Sequence, residues 1–142
     1  MFANERSQAE EDGGVTGTTP MGSHPINLAV RFLLEIVGLI ALAWVGWQYG
    51  EETYKYLLAI GFPLVAALLW GVFAVPDDPS RSGAAVIAIP GIVRLMLETA
   101  FFAAATWSLF AVEATSFAWI YAVILVTHYA VSYRRVLWLI QQ

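Results

Sequence analysis

The sequence predicts an all-α fold: an integral membrane four-helix bundle made of two tandem, similar helical hairpins. Three observations carry this expectation. Of 142 residues, 59% are hydrophobic and 13% charged, whereas soluble domains carry about a quarter charged and about half apolar residues. Four apolar runs are each long enough, at about 1.5 Å per residue, to cross roughly 30 Å of hydrocarbon. Finally, Arg31-Phe-Leu-Leu-Glu35, with Trp44 beyond it, returns 63 positions later as Arg94-Leu-Met-Leu-Glu98, with Trp107 beyond it.

Residues 1–24 are rich in Gly, Ser, Thr and acidic side chains and hold few apolar residues, so they are expected to form a disordered acidic tail. Residues 25–142 then form the membrane domain. No basic flank precedes an apolar core in the tail, and Arg31 and Glu35 interrupt the core of any signal sequence ending at Ala41-Leu42-Ala43. The first run is therefore expected to be a retained helix. Met21-Gly22 lacks the Ser or Thr that myristoylation requires, because Ile26 stands there.

The first helix is expected over residues 26–47, with Ser23 and Pro25 suited to its cap and first turn. The second spans 54–75 and is closed by Pro76 and Asp77-Asp78-Pro79, a cluster that cannot continue a helix. Pro63 inside it removes a helical hydrogen bond and suggests a kink. The third spans 90–112, preceded by an apolar lead-in from Ala84 to Ile89 that suits the interface. The fourth spans 114–133, where Arg134-Arg135 marks a headgroup layer and Val136 to Ile140 can lie flat.

Short connections after the first and third helices make each neighbouring pair antiparallel. Arg6, Arg81, Arg134 and Arg135 then fall on the side of the termini and middle loop, and Lys55 on the other, which places both termini in the cytoplasm of a multi-pass cell-membrane protein. Trp44, Trp47, Tyr49, Tyr54 and Tyr56, with Trp107, Phe117 and Trp119, suit an interfacial aromatic belt.

The 63-residue offset also aligns Leu34 with Leu97, Ala41 with Ala104, Ala59 with Ala122 and Ala67 with Ala130. Two of these belong to rows of small residues spaced by four, such as Ala59, Pro63, Ala67 and Gly71, which let helices approach closely. Such rows suit packing within the bundle, self-association or contact with another membrane protein.

Asn27-Leu-Ala-Val-Arg-Phe-Leu-Leu-Glu35, Leu58-Ala-Ile-Gly-Phe-Pro-Leu-Val-Ala-Ala67, Trp70-Gly-Val-Phe-Ala-Val-Pro76 and the Arg94, Glu98 pair together resemble the YrdB-like proteins. The resemblance covers roughly residues 25 to 135. It implies a small membrane protein of four helices, and it supplies no catalytic residue to carry over.

Each Glu lies about 40° around its helix from the Arg one turn earlier, so each pair makes one polar patch on one face. Ionisable groups are expensive in lipid, and that face should point inward. Counted from the cytoplasmic ends, Arg31 and Arg94 lie about one turn deep and Glu35 and Glu98 roughly two. His128, counted back from Arg134, falls in the same layer, with Tyr121 and Ser132 on its helical face.

The candidate polar layer is thus Arg31, Glu35, Arg94, Glu98 and His128. Since Arg before Glu is the weaker order within a helix, reciprocal pairs across the helices are expected, Arg31 with Glu98 and Arg94 with Glu35. One reading makes the layer a structural or interaction device that fixes which helices pair. The alternative is a minimal transporter or proton-handling protein using Glu35, Glu98 and His128. The sequence holds no cysteine and only two histidines, and it carries no nucleophile motif or phosphate loop. No enzyme activity, cofactor or metal is therefore expected. A net charge of -4 gives no footprint for nucleic acid, leaving the lipid bilayer as the evident partner.

Overall fold

The structure is a computed structural model that describes residues 25–78 and 85–142. The expected acidic tail and Arg81 in the middle loop lie outside the described residues. Over the described residues the chain is all-α: five helices, joined at one point by a two-residue strand pair. Three helices, α1 (Pro25–Tyr49), α2 (Tyr54–Val72) and α3 (Gly91–Ala111), are long and apolar enough to cross a membrane. A fourth candidate exists if α4 (Thr115–Val131) and α5 (Tyr133–Gln141), bent by 66°, count as one span.

The helices form where apolar runs are uninterrupted and end where the backbone is forced out. Between α1 and α2, Glu52 takes a positive φ of 41°, and between α3 and α4 Glu113 takes one of 61°. Each turn reverses the chain within a few residues. Along α1 the buried residues are Leu34, Gly38, Ala41 and Gly46, a single stripe. A Cβ at Gly46 would fall 2.5 Å from the Leu58 carbonyl carbon, so α1 and α2 cross backbone to backbone there.

The spine of the bundle is α3. Its buried residues Gly91, Arg94, Glu98, Phe102, Ala105, Ser108 and Leu109 recur every three or four positions, the period of one helical face. That face meets α1, α4 and α5. Leu34 and Ala41 from α1, Phe102, Ala105 and Leu109 from α3, and Ala118 and Tyr121 from α4 make the apolar core. The Tyr121 hydroxyl donates to the Leu34 carbonyl at 2.9 Å, which joins α4 to α1 across it.

Helix ends shift by up to three residues from those expected, and two of the shifts have a visible cause. The second helix stops at Val72, three residues early, because Phe73–Ala74 (β1) becomes extended and pairs in parallel with Ile87–Ala88 (β2). Pro76 favours an extended residue before it, and Asp77, at φ 59°, completes the turn. The apolar lead-in therefore includes a strand. The fourth helix stops at Val131, and α5 leaves at an angle after Ser132. Ser132 is buried, and its hydroxyl accepts from Asn27 Nδ2 at 2.8 Å, so the break is held against the start of α1.

Candidate functional site

The described residues contain one extended network of ionised side chains, and Glu98 is its centre. Positioned by the buried stripe of α3, Glu98 is 1% exposed. Its Oε1 accepts from Arg31 Nη2 at 2.8 Å, Arg94 Nε at 3.1 Å and Arg135 Nη2 at 2.8 Å, and its Oε2 accepts from Arg135 Nη1 at 2.9 Å. Three helices thus converge on one carboxylate. An isolated buried carboxylate costs several kcal/mol, so this density of charge-assisted donors is what makes the position tenable.

Two further carboxylates extend the network. Arg31 Nε donates to Glu35 Oε1 at 3.0 Å within α1, and Arg135 Nη2 donates to Asp78 Oδ2 at 3.0 Å across from α5. Arg31, Arg94 and Arg135 therefore face Glu35, Glu98 and Asp78, three formal charges of each sign. The network is neutral as a whole, which suits a site enclosed by apolar helices.

Arg94 also has a backbone role. Its Nη1 donates to the carbonyls of Trp70, at 3.0 Å, and Phe73. These lie at the end of α2, where helical carbonyls lack partners within the helix and where positive charge is favourable. Trp70 stacks over the same guanidinium, with 4.2 Å between the Arg94 Cζ and the ring centroid, and stands 5.6 Å from the Arg31 Cζ. A cation over an aromatic face adds attraction where water is excluded.

Of the sequence-predicted residues, Arg31, Glu35, Arg94 and Glu98 come together in this network. Their pairing differs from the reciprocal arrangement: Arg31 reaches Glu98, but Arg94 turns to Glu98 and the end of α2 and makes no ion pair with Glu35. Carbonyls at the end of α2 occupy the Arg94 fork. Glu35, its side chain 22% exposed, is held by Arg31 at the edge of the network. His128 is buried beside it, within electrostatic reach of Arg31, Arg135 and Glu98. It makes no hydrogen bond to them, and its Nδ1 has no partner among the described residues.

Sequence reasoning missed Arg135, Asp78 and Trp70. Arg134-Arg135 reads as marking a headgroup layer and Asp77-Asp78 as a turn at the interface. One signal was present for the arginines: neighbours on a helix point about 100° apart, so both cannot face the same surroundings. Arg134 is exposed and Arg135 is buried.

Among the described residues no group of three or more His, Asp or Glu side chains is placed to hold a metal ion. Through the bonds it makes, the network supplies attraction, orientation and charge neutralisation.

Comparison with known proteins places this geometry in a family. No solved structure matches the chain. The protein of Bacillus subtilis (strain 168) called "Uncharacterized protein YrdB" is 39% identical over 116 residues, which cover 82% of this chain and 94% of that protein. Residues 29–126 match a family described as "Protein of unknown function (DUF2568)". The matched segment contains Arg31, Glu35, Asp78, Arg94 and Glu98, and with well over half of its length aligned the chain belongs to this YrdB-like family.

Proposed function

We propose that this chain is a four-helix cell-membrane protein with cytoplasmic termini, acting as a structural or interaction component whose charged network clamps the helices into one arrangement. The carrying observation is Glu98, 1% exposed and bonded to arginines from α1, α3 and α5. A carboxylate so enclosed and so fully engaged is poorly suited to exchange a proton with water. The membrane placement is supported by the outward apolar faces. No residue of α2 is buried, and it presents Leu57, Ile60, Leu64, Val65 and Leu68 outward. Such a surface needs lipid or a partner helix. The 63-residue correspondence supports two tandem hairpins whose equivalent glutamates differ in role, Glu98 central and Glu35 peripheral.

The test uses the full chain in sealed vesicles carrying a pH-sensitive dye. With an imposed gradient, proton flux should match that of protein-free vesicles, and the infrared carboxylate band of Glu98 should not change between about pH 5 and 8. Flux that disappears in Glu35→Gln or Glu98→Gln would favour the proton-handling reading, in which Glu35, Glu98 and His128 carry the step.

A further inference from the structure

The two sides of α5 stand in different surroundings. At 3.6 residues per turn, Arg135 and Leu139 fall together on one side, and both are buried. Arg135 reaches Glu98, and the Leu139 carbonyl fills the space that a side chain at Gly91 would need. On the opposite side Tyr133, Leu137 and Ile140 lie within about 60° of one another, each at least half exposed. The stretch from Val136 to Ile140 is therefore divided. Leu139 closes the bundle, and Leu137 and Ile140 join Tyr133 in an outward apolar ridge.

Depth, direction and charge together indicate what this ridge meets. Gly91 is the first residue of α3, so its contact with Leu139 sets α5 level with the start of that span, where hydrocarbon gives way to headgroups. The axis of α5 leaves that of α4 at 66°, out of the line of the bundle. Arg134 borders the ridge, is exposed and makes no ion pair among the described residues. Gln141, about 20° from it around the helix, continues the same polar edge. In water the ridge would leave three large apolar side chains side by side in solvent. Within the hydrocarbon an unpaired guanidinium would be expensive. Both are satisfied at the boundary, where the stem of Arg134 lies along apolar surface and its head meets an anion.

We propose that α5 is an interfacial anchor: it seats Tyr133, Leu137 and Ile140 among the acyl chains of the leaflet on the side of the termini and holds an anionic lipid headgroup at Arg134. This rests on the reading that the helices lie in a bilayer. One nine-residue helix then carries both the lipid contact and the fork on Glu98.

The sequence holds no cysteine, so single-cysteine variants of the full chain take a label at one place. In nanodiscs of phosphatidylcholine and phosphatidylglycerol, spin labels at Leu137→Cys and Ile140→Cys should collide more with oxygen, which concentrates in lipid, than with a water-soluble nickel chelate. A label at Gln141→Cys should show the reverse, and one at Leu64→Cys, on the outward side of α2, reports the membrane reading independently. A fluorophore at Gln141→Cys should be quenched about five-fold more strongly by trace phosphatidylglycerol than by trace phosphatidylcholine, each spin-labelled near the top of an acyl chain. That ratio is the effect of one basic residue near a lipid surface. Adding Arg134→Gln should bring the two lipids to parity.

Nickel-accessible labels at Leu137→Cys and Ile140→Cys, with an oxygen-favoured label at Leu64→Cys, would overturn the anchor and leave the membrane reading intact. A nickel-accessible label at Leu64→Cys would overturn both. Dipolar broadening between labels at Leu137→Cys would overturn the lipid contact in favour of a second copy of the chain. Equal quenching by the two lipids, unchanged by Arg134→Gln, would overturn the headgroup site.

Discussion

Arg135 grips both carboxylate oxygens of Glu98, Nη2 to Oε1 at 2.8 Å and Nη1 to Oε2 at 2.9 Å, from a helix 37 residues further along the chain. A two-bond fork fixes orientation as well as distance. It ties the C-terminal helix to the spine of the bundle.

Removal of the carboxylate should therefore be costly. Glu98→Gln leaves three guanidinium groups around a neutral amide, and a loss of about 3–5 kcal/mol is expected for a buried pair broken on one side. Adding Arg135→Gln should recover more of this than adding Arg31→Gln, because Arg135 supplies two of the four bonds. The recovery should stop short of complete, since Asp78 then loses its guanidinium. A double-mutant cycle on unfolding in detergent measures the coupling, and additive, mild effects would show the network to be solvated.

Arg94→Lys keeps the charge but not the fork. One ammonium cannot reproduce the guanidinium's simultaneous reach to Glu98, Trp70 and Phe73 or its flat stacking on Trp70. About 1–3 kcal/mol should be lost, from backbone carbonyls left without a donor. Faster hydrogen exchange confined to the last turn of α2 would locate the loss; wild-type stability in Arg94→Lys would show that the cap contributes nothing.

Gly91 admits α5. A Cβ at this position would collide with the Leu139 carbonyl oxygen, so Gly91→Ala should push α5 off the start of α3. Overpacking of this kind costs about 1–3 kcal/mol, which raises the open population roughly 5- to 150-fold. Trypsin cleavage after Arg134 and Arg135, followed over time, reports that opening. An unchanged cleavage rate would mean that α5 is not held by this contact.

The proposed orientation rests on the Lys and Arg asymmetry, with Arg134 and Arg135 at one end and Lys55 at the other. Reporter fusions at Gln142 and beside Glu51 should report opposite sides, the former cytoplasmic. A C-terminal reporter found outside the cytoplasm would reverse the orientation or change the number of crossings.

Much of the helical layout was legible because one-face periodicity survives in apolar sequences. The stripe from Arg94 through Glu98, Phe102 and Ala105 marks the inner face of α3, and the paired charges identify Arg31 and Glu98 as neighbours across helices. The end of α4 was legible only to within two residues. Ala130-Val-Ser-Tyr133 contains neither Gly nor Pro, and the break at Ser132 depends on its contact with Asn27, 105 residues away. The strand pair of two residues each is too short to impose alternation, and it too depends on a distant partner. Arg135 and Asp78 were hidden by identical neighbours, because adjacent like residues show that one position is tolerated without showing which is buried. Nothing in the sequence marks Trp70 as the aromatic face on which Arg94 stacks.

The distance along the chain between Glu98 and Arg135 also sets an order of events during synthesis. At about 5–20 residues per second, the 37 intervening residues take roughly 2–7 s to appear. Until Arg135 is in place the carboxylate can meet only Arg31 and Arg94, and its set of four bonds is incomplete. Completion of the polypeptide supplies the last guanidinium, so a chain released before Arg135 would keep two of the four bonds on Glu98 and lose the fork that orients it.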